Sequence, residues 1–214
     1  MQLTKILILG AHGQIAQLAE QQLLTDTDAI LTLFLRNAQR LASRKSERVR
    51  LIEGTATDKA RLQQAMQGQD LVYANLAGKD IEKQAEAVAA AMQAAGLKRL
   101  IWISSLGIYD EVPGKFGEWN KNILGDYLDT YGNAVRVLEQ SALDYTIIRP
   151  AWLTDKNEVD YETTQKGEPF KGTEVSRKSV ADFVVKLIEH PRQEIRHSVG
   201  IDKPGTAGDK PAWY

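Results

Sequence analysis

Cysteine is absent from the chain, and histidine occurs only three times. A disulfide framework, Cys-ligated zinc, an iron–sulfur cluster and a thiol nucleophile are excluded together. His12, His190 and His197 show no ligand spacing, so no metal site is expected. An excess of one charge is missing too: 27 Lys and Arg stand against 28 Asp and Glu, a net charge of −1. That balance argues against a nucleic-acid binder and against a polybasic membrane patch. No apolar run approaches the ~18 residues of a membrane span. The apolar run at residues 6–9 is too short for the core of a signal peptide. A cytoplasmic location is therefore expected. No Gly-Lys-Ser/Thr follows the first apolar run, and no Gly-x-Ser-x-Gly occurs. The phosphate-binding P-loop and the nucleophile elbow of Ser-His-Asp hydrolases are thus both missing.

Internal repeats and Gly/Ser-rich linkers are also lacking. Residues 1–214 therefore read as one domain, with 151–203 as a C-terminal elaboration within it. Residues 204–214 read as a loose tail, in which only Trp213 and Tyr214 could dock.

What the chain does have is ordinary globular composition, 43% apolar and 26% charged over 214 residues, enough for a sizeable core. Short apolar runs alternate with helical patterns. Residues 6–9, 30–35, 49–52, 70–76, 100–104 and 145–149 read as strands. Residues 14–24, the short basic stretch 38–44, an Asp58-capped run to Met66 and the Ala-rich stretch 81–95, ended by Gly96, read as helices. An insert, residues 107–143, separates the last two strands. Its second half looks helical from about Gly125. Its first half, with Gly107, Pro113, Gly114, Gly117 and Gly125, reads as a lid. Residues 180–189 form a further helix. This alternation predicts an α/β fold: a doubly wound parallel sheet with helices on both faces and a small C-terminal lobe.

The first strand ends in Gly10-Ala11-His12-Gly13-Gln14-Ile15-Ala16 and leads straight into a helix. A missing Cβ lets the chain turn sharply and lets a pyrophosphate approach the backbone. The N–H groups and dipole of the helix start then hold the anion. Gly10 makes the turn, Gly13 the close approach and Ala16 the tight helix packing. Ala11, His12, Gln14 and Ile15 complete the loop, with His12 more simply read as a solvated side chain than as a catalyst. The spacing is G-x-x-G-x-x-A rather than the commoner G-x-G-x-x-G. A dinucleotide is the expected ligand.

An NAD site places an acid at the end of the second strand, to grip the ribose 2′-OH. Here that strand ends Phe34-Leu35-Arg36-Asn37, with Arg40 one turn on. A guanidinium suits a 2′-phosphate instead, so NADP(H) is expected in preference to NAD(H).

At this point the chain resembles a known family. The glycine turn, Arg36, the pair Gly54 and Asp58, Asn75-Leu76-Ala77-Gly78, Ile103-Ser104-Ser105 and the run from Asp144 to Pro150 are similar to the atypical short-chain dehydrogenase/reductases of the NmrA-like, NAD(P)-binding kind. The likeness runs in order over about residues 3–155 and implies a Rossmann-like sheet. It also implies placements. Arg36 and Arg40 meet the adenosine phosphate, while Thr55, Ala56 and Asp58 lie beside adenine. Leu76, Ala77 and Gly78 flank the ribose. Ser104, Ser105, Pro150, Ala151 and Trp152 line the nicotinamide end.

Reductases of this fold use Tyr-x-x-x-Lys, in which the cation lowers the tyrosine pKa for proton transfer. Here Tyr127 is followed four places on by Tyr131, and Tyr131 by Val135. Neither register has the lysine. Ser104, Ser105, Tyr131 and Tyr127 remain the candidate catalytic residues. Tyr109, Trp119, Tyr127, Tyr131 and Trp152 could form an aromatic wall for a flat acceptor. The expected function is an NADP(H)-binding oxidoreductase that reduces a quinone, flavin or carbonyl compound. The alternative is a non-enzymatic NADP(H)-binding sensor acting on a regulatory protein partner. A sugar-nucleotide epimerase is weaker, because the stretch after Pro150 is short for a nucleotide-sugar lobe.

Overall fold

Ile6, Leu7, Ile8 and Leu9 are all fully buried, because their strand has neighbours on both edges and helices on both faces. This strand is β1 (Lys5–Leu9) of the computed structural model, which describes residues 4–214. It leads into α1 (Gln14–Asp26), β2 (Ile30–Leu35) and a 3-10 segment, Ala38–Arg44. Then come β3 (Val49–Glu53), α2 (Lys59–Met66), β4 (Leu71–Ala74), α3 (Ile81–Ala95) and β5 (Arg99–Ile103). Two helices, α4 (Gly114–Leu124) and α5 (Asp126–Glu139), precede β6 (Asp144–Pro150). The remainder holds β7 (Trp152–Thr154), β8 (Glu162–Gln165), β9 (Glu174–Ser176), α6 (Arg177–Glu189) and β10 (His197–Asp202).

The main sheet has the order β3-β2-β1-β4-β5-β6-β10-β8. Every pair in it is parallel except β10 with β8. The chain winds outward from β1 to β3, returns, and winds the other way from β4, so the order reverses between β1 and β4. Alternating side chains split the core into two layers. Ile6 and Ile8 pack toward α1 and α6, whereas Leu7 and Leu9 pack toward α2, α3 and α5. The doubly wound sheet expected from the alternation is the fold. Asp58 caps α2 as expected, its carboxylate accepting from the Arg61 N–H at 3.0 Å. Gly96 ends α3 with φ 68°.

The departures have physical reasons. The first half of the insert is not an open loop but contains α4, separated from α5 by Gly125 in a conformation (φ 48°, ψ −131°) no helix can continue through. The segment before α4 is tied to the sheet by Glu111. Its carboxylate accepts from the N–H groups of Gly107 and Tyr109, each at 3.0 Å, and pairs with the fully buried Arg149 of β6. Ser198 of β10 takes further donors of the same guanidinium, at 3.1 and 3.2 Å. Strands β7 to β10 are short or polar, so their pattern carries little signal. β10 is a core strand only because it lies between β6 and β8. The tail is not loose throughout: Thr173 and Thr206 bond each other at 3.2 and 2.7 Å, and Tyr214 packs on Trp119.

Two packing constraints yield tests. Gly10 has φ +71°, and a Cβ there would lie 2.3 Å from the backbone oxygen of Asn75, just beyond β4. At Gly13 a Cβ would lie 2.0 Å from the Asn75 side-chain nitrogen. Gly10→Ala is expected to destabilise by about 3 kcal/mol, from strain plus overpacking, whatever residue 75 is. Gly13→Ala should be largely rescued by Asn75→Ala in a urea-unfolding double-mutant cycle. Equal rescue of both glycine variants would refute this account. The second constraint is Glu20, whose side chain on α1 is 1% exposed and pairs with Arg44 at 2.9 Å. Burial pushes its carboxyl up to about 8, against the opposing pull of Arg44. The folded state thus holds a proton that the unfolded chain releases near its ordinary value of 4.5. Stability should fall as pH rises from that value through about 8, and Glu20→Gln should flatten the fall. Urea midpoints at three pH values check the sign.

Candidate functional site

Parallel strands in a doubly wound sheet open a crevice where their order reverses, at their carboxyl ends. A cavity of about 380 Å³ lies at that place in this protein, between the ends of β1 and β4. Gly10, His12 and Gly13 line it from the turn after β1. The end of β2 adds Phe34, Leu35, Arg36 and Asn37, and Arg40 reaches it from the 3-10 segment. Gly54, Thr55 and Ala56 follow β3, while Asn75, Leu76 and Ala77 follow β4, with Asp80 and Gln84 at the start of α3. The glycine turn is held to β2 by the Gly10 N–H, which donates to the Phe34 carbonyl at 3.0 Å. Gly54 is small for a reason: a Cβ there would lie 2.4 Å from the Phe34 ring.

The site is positive at one end, and Phe34, Leu35, Ala56, Leu76 and Ala77 give it apolar walls. α1 begins after Gly13 with no side-chain cap among the described residues and no acid in its first turn. His12 and Gly13, which lead into it, line the crevice, and such an uncapped helix start favours an anion. Arg36 and Arg40 bring two guanidinium groups to the far side. Glu53, at the end of β3, lies beside Leu35 in the sheet register. It accepts from the Ala38 N–H at 2.9 Å and so starts the 3-10 segment. At the other end, Gln84 donates to Asp80 at 2.7 Å and to the Ala77 carbonyl at 3.2 Å, which fixes the rim after β4.

The sequence-predicted residues fall into groups. Gly10, His12, Gly13, Arg36, Arg40, Thr55, Ala56, Leu76 and Ala77 come together around the cavity. Ala11 and Ile15 are buried in the core below the turn, and Gln14 opens α1 on the outside. Asp58 is engaged as the α2 cap. Gly78 donates its N–H to the Tyr131 hydroxyl at 3.4 Å. Ser104, Ser105, Pro150, Ala151 and Trp152 lie at the ends of β5 and β6, outside the cavity lining. Phe34, Leu35, Asn37, Asp80 and Gln84 were not singled out. The first three simply end β2, while Asp80 and Gln84 are an i, i+4 pair whose direction depends on how α3 packs.

The candidate catalytic groups are arranged unevenly. Tyr131 is buried, and Tyr127 stacks on it with ring centroids 3.8 Å apart. Burial, then the hydrogen bond with Tyr131, pushes the Tyr127 hydroxyl well above its ordinary range. Val135, four places after Tyr131, is fully buried among α3 and α5, so no cation stands there. Arg136 instead bonds Asn133 at 2.8 Å near the surface. Ser105 donates to the Leu106 carbonyl at 3.2 Å. The Ser104 hydroxyl is buried and has no hydrogen-bond partner among the described residues. The expected single aromatic wall is divided. Tyr109 donates to Glu139 at 2.7 Å and sits beneath Arg149 and Lys166. Tyr127 and Tyr131 form a second group, and Trp119 with Trp152 a third.

Comparison with known proteins agrees with this geometry. The NAD(P)H-binding family profile matches residues 10–191. A solved Rossmann-fold NAD(P)-binding family protein from Shigella flexneri is 44% identical, with 98% of each chain covered and a TM-score of 0.86. A short-chain dehydrogenase/reductase (wide type) from Veillonella parvula DSM 2008, solved in complex with NADP, is 32% identical. It covers 99% of this chain and 100% of its own, with a TM-score of 0.92. A Bacillus subtilis (strain 168) protein named uncharacterized sugar epimerase YhfK is 27% identical, over 90% of this chain and 91% of that one. No helix among the described residues is long and apolar enough to cross a membrane. By its profile match, its sheet and its glycine turn, the chain belongs to the NAD(P)H-binding family, with a Rossmann-like fold of the atypical short-chain dehydrogenase/reductase kind.

Proposed function

We propose that this protein is an NADP(H)-dependent oxidoreductase that reduces a small or flat acceptor, such as a quinone, a flavin or a carbonyl compound. The observation that carries the reading is one cavity in which the uncapped start of α1 meets the side chains of Arg36 and Arg40. Free N–H groups and a helix dipole suit a pyrophosphate. A guanidinium suits a 2′-phosphate, which it grips through two parallel donors. β2 itself leads into Arg36 and Asn37, with no acid at the place where a 2′-OH would be gripped. The Veillonella parvula relative with NADP supports the same choice.

NADPH supplies a hydride when bound. The chain's part is to bind and orient it: the Gly10–Ile15 turn takes the pyrophosphate, and Thr55, Ala56 and Asp58 border the adenine. Leu76, Ala77 and Gly78 flank the ribose, and Pro150, Ala151 and Trp152 lie at the nicotinamide end. The unpartnered Ser104 hydroxyl is the donor offered to an acceptor oxygen. With Val135 at the fourth place after Tyr131, the chain lacks the Tyr-x-x-x-Lys pair, so an acceptor that takes hydride first and its proton from water fits best. The same substitution favours a second reading, an NADP(H)-binding sensor that turns nothing over and alters its hold on a protein partner. It counts against the epimerase chemistry in the name of the Bacillus subtilis relative.

Titration of NADPH and NADH tests the cofactor claim. NADPH should bind at least tenfold tighter, and Arg36→Ala should weaken NADPH alone, by about 10–100-fold. Equal affinities, or an Arg36→Ala protein that still prefers NADPH, would refute it. NADPH oxidation with a panel of quinones and flavins then separates enzyme from sensor: binding without turnover would leave the sensor.

A further inference from the structure

A cluster of aromatic rings lies beyond the ends of β5 and β6, outside the dinucleotide cavity. Trp119 of α4 and Trp152 of β7 have ring centroids 4.8 Å apart, and Phe116 stacks on Trp119 at 6.0 Å. Tyr214 meets Trp119 edge-on at 4.8 Å and Trp152 at 5.9 Å. Such contacts ordinarily serve to bury the rings. Here the Tyr214 side of the cluster stays about half exposed, at 52%, as does Trp213 at 51%. Tyr214 is also lightly held. Its N–H donates to the Pro211 carbonyl at 3.1 Å and its carbonyl accepts from Lys210 at 3.4 Å. The segment is anchored by the buried Pro211 and by Thr206, so among the described residues the ring itself is held by its edge contacts alone.

Behind the rings sits a polar group that folding does not account for. Asn120 is fully buried, and its Oδ1 accepts from the Trp152 indole N–H at 2.9 Å. That bond fixes which way the amide points. Its Nδ2, a donor, has no partner among the described residues. It lies against Gly107, where a Cβ would come within 2.7 Å of it, so only a glycine fits beside the amide. Ser104, at the end of β5, is a second buried hydroxyl without a partner. The Leu106 N–H, donating to the Pro150 carbonyl at 3.3 Å, joins the two strand ends that carry Ser104 and Trp152. Donors buried without acceptors at a strand end, beside indole faces covered by one exposed ring, form a site for a ligand that brings both a flat π system and an oxygen acceptor.

We propose that Trp119, Trp152 and the Asn120 amide recognise a planar conjugated acceptor carrying a carbonyl oxygen, and that Tyr214 occupies this place until the acceptor displaces it. As the acceptor's site it rests on the oxidoreductase reading, whose substrate class it narrows. As a stacking site it needs no cofactor. Tyr214 is a small ring in edge contact. A larger conjugated ligand stacked face to face covers more of both indoles and exchanges one loosely held ring for a broader contact.

Menadione, a two-ring quinone, is the probe. Its binding is read by quenching of intrinsic tryptophan fluorescence, with and without NADP⁺, alongside a calorimetric titration of NADPH. Tyr214→Ala, a change at an exposed position, should tighten menadione binding about 3–10-fold, whereas Trp119→Ala should weaken it by a similar factor or more. Trp119→Phe, which keeps the packing, should fall between Trp119→Ala and the wild type. Unchanged or weaker binding by Tyr214→Ala, indifference to both Trp119 changes, or no binding by wild type and Tyr214→Ala alike would overturn the proposal. The menadione pattern without any NADPH binding would sink the oxidoreductase reading and leave the stacking site standing. Normal NADPH binding with a flat menadione pattern would do the reverse.

Discussion

The turn after β1 can exist only because Gly10 and Gly13 have no side chains. Both press against Asn75, one on its backbone and one on its amide. This contact holds β1 and β4 together at the place where the sheet changes winding direction. It also aims the start of α1 into the crevice. The glycines thus have a structural duty whether or not a pyrophosphate is present, and the same close approach is what makes the backbone accessible to an anion. Fold and cofactor site share one constraint here.

The opposite end of the crevice depends on a different device. Arg149 is buried in β6, where an isolated charge would be costly. Glu111 and Ser198 together satisfy it, and Glu111 also binds the backbone at Gly107 and Tyr109. One buried network therefore sets the position of the insert relative to the sheet. By setting where α4 begins, it also places Trp119 and Asn120 over the ends of β5 and β6. The insert and the C-terminal segment meet there, through Trp119 and Tyr214, although 94 residues separate Lys115 of α4 from Asp209 at the same junction.

These two ends differ in chemical character. The adenosine side offers fixed cations and backbone donors. The ends of β5 and β6, the acceptor side under the proposed reading, offer aromatic faces, two buried donors without partners among the described residues and a tyrosine pair that lacks the Tyr-x-x-x-Lys spacing. Binding is strongly specified at the first, and proton transfer is weakly specified at the second. That asymmetry suits an acceptor that needs orientation more than acid catalysis.

Much of this was legible in the sequence. Residues 6–9 declare a strand buried on both faces, and the glycine turn, Arg36, the Asp58 cap and Gly96 act over a few residues, so local spacing reveals them. The doubly wound sheet follows from the alternation of such segments. The absence of lysine at Val135 is equally local. Other features were not legible, because their causes lie far apart in the chain. β10 is a core strand only through β6 and β8, and the polar β8 has no pattern of its own. Glu111 carries no sign that it will meet Arg149, 38 residues away. Nor does Asp80 show that it will line the same cavity as Arg36, or Tyr214 that it will rest on Trp119. The sequence by itself determined the strands, the glycine turn and the placing of Arg36 at the end of β2, since these depend on neighbouring residues and on backbone freedom. Only the tertiary structure decided which buried polar groups found partners and which rings gathered beyond the ends of β5 and β6, since those outcomes are set by contacts between segments that no short-range pattern encodes.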